Sequence, residues 1–172
     1  MTLAGCNGNE TDGASQTTQV DETTTEAPTT TQATTTTLTR EDEVLAAYRA
    51  ANQALVAAAN PPNADHPLLA AHLTGRQLDV VRSVLRQQQA NNIGQVANPE
   101  SHPRDVVVSG ASARLTDCFI DRTQTIDLAS GAPVGDPGET VLHLDVVMEH
   151  VQGSWKLAQL QQRSDSCDPS SG

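Results

Sequence analysis

The chain has 172 residues, a formal net charge of −11 and only 2% aromatic residues. Residues 1–39 hold five acids and no Lys or Arg, and the rest holds 16 acids against 10 bases, nine of them Arg. Without clustered bases to neutralise phosphates, nucleic acid and anionic membrane surfaces are excluded as partners. The part with the composition of a folded domain is of ordinary size for a single core.

The N-terminal Leu3-Ala4-Gly5-Cys6 resembles the lipobox of bacterial lipoproteins. That resemblance implies lipidation of Cys6 and makes residues 1–6 the remnant of a signal. Five residues are too few for a charged n-region and an apolar h-region, so the reading expects a start further upstream. A chance match on a cytosolic protein is the alternative. Residues 7–38 are then a disordered tether, since 14 threonines fall within residues 11–40 and almost no sizeable apolar side chain accompanies them. Thirty such residues reach roughly 30 Å as a coil and about 100 Å when stretched. Dense Thr with Pro28 suits O-glycosylation or an unmodified spacer equally.

The domain is expected over residues 39–168, with a disordered tail at 169–172. Thr39 stands three residues before Asp42, a capping-box spacing, and Glu41, Asp42 and Glu43 suit the positive end of a helix dipole. A helix should run over 40–59 with Val44, Leu45, Tyr48, Ala51, Leu55, Val56 and Ala59 inward, and Asn60-Pro61-Pro62 ends it. Pro67 opens a short second helix, to Leu73. Thr74 caps a third, to about Gln89, with Leu78, Val81 and Leu85 inward.

After Gly94 the apolar period falls from 3.6 to 2. Gln95-Val96-Ala97 predicts a short edge strand, Pro99 and Pro103 a loop, and 105–108 a strand. Residues 113–126 predict one central strand with apolar groups on both faces. Gly131, Pro133, Gly135 and Pro137 fall in loop stretches. Leu142, Leu144, Val146 and Met148 then share one strand face and His143, Asp145 and Glu149 the other. Gln152-Gly153 turns the chain into a hairpin partner opened by Trp155.

The helix ending in Asn60-Pro61-Pro62, the Thr116-Asp117-Cys118 strand, the 127–131 turn and the Gly153-Ser154-Trp155-Lys156-Leu157 hairpin resemble the nuclear-transport-factor-2-like superfamily. More narrowly, they are similar to its small secreted lipoproteins from high-GC actinobacteria. The resemblance spans 41–167 and implies an α+β domain whose N-terminal helices pack in a curved antiparallel sheet, a cone that is open to a small molecule or filled by side chains. It also bears on the odd cysteine count. Lipidation of Cys6 leaves a pair, and related lipoproteins share an Asp-Cys strand and a terminal Cys, which implies a Cys118–Cys167 disulfide; two free thiols are the alternative.

Catalytic and metal patterns are weak. His143 and Asp145 could form a dyad, yet they share the polar strand face, which reads as solvated. His143 and His150 fall on opposite faces, and His66 and His72 lack ligand spacing, so neither a metal nor a cofactor is expected. Ser83, Ser109, Ser112 and Ser154 lack a nucleophile elbow. Asp117 is an acid between apolar neighbours: either exposed or bonded to an Arg such as Arg114, or a buried pocket acid. The expected function is a non-catalytic lipoprotein anchored to the outer face of the cell membrane, the lipid anchor being its only membrane contact, whose domain binds a small ligand or protein partner. The alternative is a small ketosteroid-isomerase-like or dehydratase-like enzyme using Asp117.

Overall fold

The structure is a computed structural model and describes residues 38–136 and 138–170. Cys6 and nearly all of the Thr-rich segment lie outside the described residues, and with them the anchor and tether expectations. The helices are α1 (Arg40–Ala59), α2 (Pro67–His72) and α3 (Gly75–Ala90). They precede β1 (Ile93–Val96), β2 (Pro103–Ser109), β3 (Ser112–Asp121), β4 (Gln124–Asp127), β5 (Thr140–Val151) and β6 (Ser154–Gln162). The fold is α+β, with an antiparallel four-stranded sheet ordered β2-β3-β5-β6 and a two-stranded β1-β4 sheet.

α1 begins where its capping residues dictate. The Thr39 hydroxyl accepts the Asp42 N–H at 3.1 Å, and the Asp42 carboxylate accepts the Thr39 N–H at 3.2 Å, so two otherwise orphaned donors are satisfied reciprocally. Thr39→Ala should therefore cost about 1 kcal/mol, read as a lower urea midpoint. The fully buried side chains of α1 are Val44, Tyr48, Ala51, Ala54 and Ala58. Leu45, Leu55 and Val56, expected inward, are only half-buried. Alanine at Ala51, Ala54 and Ala58 lets the second half of the helix lie close, while Val44 and Tyr48 are the large side chains buried in its first half.

Thr74 precedes α3 but makes no side-chain cap. Its N–H instead donates to the Leu157 carbonyl at 2.9 Å, tying the helical pair to β6. The β5–β6 hairpin turns through Gln152 (φ 52) and Gly153 (φ 85), the two positive φ values of a turn that matches strand twist. Leu144, Val146, Met148, Trp155 and Leu157 are buried along its inner face. Two irregularities bend the sheet. Asp105, at φ 55, and Val106 together oppose one residue of β3, and the pairing jumps across Ala158 between β5 and β6.

The single strand expected over 113–126 is two strands in different sheets. Asp121 accepts the Thr123 N–H at 2.9 Å, an Asx turn that ends β3, and Arg122 turns outward to Glu100 (2.9 Å) and Glu139 (2.7 Å). β4 then pairs with β1, whose Gly94 lies so close to Leu128 and Asn60 that a Cβ would meet Leu128 Cδ2 at 2.8 Å.

Cys118 and Cys167 form a disulfide with a Cα–Cα distance of 5.7 Å. Arg163 extends the β5–β6 pairing, its N–H donating to the His143 carbonyl, and the disulfide then draws the C-terminal segment back over the outer face of the sheet. Arg163 pairs with Asp145 (3.2 Å) and Asp165 (2.8 Å), and the chain continues to Ser170, whose N–H donates to Asp168. Arg163 holds the Asp165 carboxyl down at about 2. A depressed carboxyl adds stability above its unfolded value of about 3.9 and loses it as pH falls through the folded value. The tail contact should be complete at pH 5 and weaken between about pH 4 and 2, which a carboxyl-carbon NMR titration of Asp165 would register as a midpoint near 2.

Candidate functional site

Asp117 sits at the middle of β3, opposite Leu144 of β5 and Pro103 of β2. Strand alternation turns it inward with Ala113 and Leu115, under α1. Its side chain is 0% exposed. Neither expectation that left it in solvent or on Arg114 holds, since Arg114 is exposed and three neutral donors take up the carboxylate. The Tyr48 hydroxyl donates to one oxygen at 2.7 Å and the Ser101 hydroxyl to the same oxygen at 2.7 Å. The His102 backbone N–H donates to the other at 2.6 Å.

Each donor arrives from a different part of the chain. Tyr48 lies on the buried stripe of α1, one turn after Val44. Ser101 and His102 are brought in by Glu100, which exchanges backbone hydrogen bonds with Ile120 at 3.0 and 2.8 Å and so runs the chain alongside the end of β3. Burial, then the Asp117 charge, push the Tyr48 phenol far above its ordinary value, with Asn52 and Ser101 opposing weakly. Tyr48 thus remains a proton donor, and a buried carboxylate with neutral donors on both oxygens is a satisfied group.

A groove opens beside this cluster, between α1 and the residues that follow β1. Its wider part, about 440 Å³, is lined by Arg49, Asn52, Gln53, Asn98 and Ser101. It continues through Val56, Ala97 and Pro99 into a second part of about 200 Å³, reaching Leu55, Phe119 and Asp121. The space between α1 and the four-stranded sheet is occupied by Tyr48, Leu69, Leu73, Met148 and Leu157, all fully buried. Ser101 is the member of the Asp117 cluster that also lines the groove.

The remaining candidates do not converge on Asp117. His143 and Asp145 do not form a dyad: His143 Nδ1 lies 3.4 Å from Asp165, and Asp145 pairs with Arg163. Nor is His143 solvated, at 16% side-chain exposure, because the disulfide-held tail covers that face. Among the described residues no group of three His, Cys, Asp or Glu is placed to hold a metal. Ser83, Ser109 and Ser154 are exposed. Ser101 and the His102 amide carry no sequence signal beyond the flanking prolines, which mark them as loop.

No protein-family model matches the sequence, and no curated protein does. Among solved structures, the chain is similar to the intermembrane-space region of the chloroplast protein ARC6, with a TM-score of 0.57 and 14% identity over 71% of this chain and 97% of that one. It also matches a de novo designed β-sheet protein at a TM-score of 0.35 and 17% identity, over 72% of this chain and 90% of that one. At these identities the first likeness describes fold alone, and the second is too loose to bear on it.

Proposed function

We propose that this chain is a non-catalytic lipoprotein, anchored through a diacylated Cys6 to the outer face of the cell membrane, whose domain binds a small ligand or protein partner in the envelope. The finer architecture we propose for the domain is a nuclear-transport-factor-2-like cone, the two sheet irregularities supplying its curvature.

The enclosure of Asp117 carries the non-catalytic reading. A general acid or base must come within hydrogen-bond reach of a substrate atom. The Asp117 side chain is entirely covered, and both of its oxygens already accept donors that belong to the fold. Location rests on cysteine chemistry: a Cys118–Cys167 bond suits an oxidising compartment, and it leaves Cys6 as the one cysteine for a lipid.

Asp117→Asn separates this reading from the isomerase-like alternative. An acid that holds the fold together loses stability on substitution, whereas a catalytic acid kept at the expense of stability gains it. Melting should occur at lower temperature in Asp117→Asn, and a higher melting temperature would favour the enzyme. For the anchor, cells grown with labelled palmitate should label the protein and leave Cys6→Ala unlabelled; equal labelling removes the lipoprotein claim.

A further inference from the structure

The groove beside α1 has two chemically different ends. Arg49, Asn52, Gln53, Val56 and Ala59 follow the i, i+3, i+4, i+7 spacing of one helix side, so its helical wall runs for about 15 Å at 1.5 Å per residue. At the first end, Arg49 makes no ion pair or hydrogen bond with any described residue, and it is a fixed positive charge on an acidic domain. The guanidinium is a donor only, so the atom that satisfies it is an acceptor, and its charge favours one that is negatively charged.

The second part is walled by Leu55, Val56, Ala59 and Phe119, with Gln95, Asp121 and Thr123 as its polar members. Apolar walls suit a hydrocarbon tail, and the Asp121 carboxylate repels a second negative charge placed there. We infer that the groove binds a monocarboxylate amphiphile, its head group on Arg49 and its aliphatic or aromatic tail along Val56 towards Phe119. A dicarboxylate would bring its second charge against Asp121. This inference rests on the binding role proposed above and gives it a ligand class.

The test is a titration of the full chain with sodium octanoate, followed by backbone amide NMR, beside 1-octanol and octylamine, which have the same tail with a neutral or cationic head. Octanoate should saturate at about 1–10 mM, as expected for a ligand of this size, with shifts confined to residues 49–59, 95–101 and 119–123. Arg49→Gln, at an exposed position, should weaken octanoate about tenfold and leave 1-octanol unchanged, because loss of a charge-assisted contact is of that order. Val56→Asp should weaken both. Absence of saturation, shifts centred elsewhere, octylamine binding as well as octanoate, or unaltered octanoate affinity in Arg49→Gln would each overturn the assignment. None of these outcomes bears on Asp117, whose role is decided separately by the melting of Asp117→Asn.

Discussion

Asp117→Ala should be less stable than the wild-type protein by about 3–5 kcal/mol at neutral pH, measured by urea denaturation. The carboxylate is the common acceptor for Tyr48, Ser101 and the His102 N–H, which come from α1 and from the segment entering β2. Removing it leaves a fully buried phenol and two further donors without a partner, and each buried orphan costs about 1–3 kcal/mol. The loss is larger than the net worth of the bonds themselves, chiefly because the fully buried Tyr48 phenol has no water to turn to, whereas Ser101 borders the groove.

A double-mutant cycle isolates the pair. Tyr48→Phe alone removes a hydrogen bond to a charged group, worth roughly 1.5–3 kcal/mol, whereas in the Asp117→Ala background it removes only an orphaned hydroxyl and should cost almost nothing. Additive effects would mean that the two groups do not interact in solution. The pair also sets an alkaline limit. The folded phenol titrates well above its unfolded value of about 10, so its contribution is complete below about pH 10 and falls as pH rises beyond it. No tyrosinate absorbance should appear before the domain unfolds.

Cys167→Ser carries the second large expected effect. The bond joins residues 49 apart, and the chain-entropy model assigns a loop of that length about 4 kcal/mol. Cys118, fully buried, tolerates its thiol as a small apolar group, so the loss should come from the freed chain rather than from a poorly packed β3. The Arg163 pairs with Asp145 and Asp165 should loosen with the tail, and His143 should become more exposed. Equal urea midpoints for oxidised wild-type protein and Cys167→Ser would show that the disulfide contributes nothing. Stability restored in the variant by an unrelated clamp on the tail would assign the effect to tethering.

Several features follow from short-range chemistry and are legible in the sequence for that reason. The Thr39–Asp42 capping box depends on residues three apart, the Gln152-Gly153 turn on two adjacent residues, and the inward face of β5 on alternation within one strand. The Asp127 turn is equally local, with its carboxylate accepting the Ala129 and Ser130 N–H groups. The Cys118–Cys167 pairing came from a family resemblance and an odd cysteine count rather than from any local pattern. The capping box, the two turns and the β5 face need no knowledge of where a distant segment lies.

What the sequence could not place is whatever depends on where distant segments meet. The partners of Asp117 lie 69, 16 and 15 residues away, so parity could turn the acid inward but could not say whether an Arg, water or a phenol awaited it. His143 reads as solvent-facing by alternation, and it is mostly covered because a bond between residues 118 and 167 folds the tail over that face. The 113–126 run looks continuous in hydropathy, and an Asx turn at Asp121 divides it between two sheets. Periodicity reports which side of an element is apolar and hydrogen-bond chemistry reports how its ends are capped. Only tertiary packing decides which donor reaches which acceptor, and in this domain that choice makes the one buried acid a satisfied part of the core.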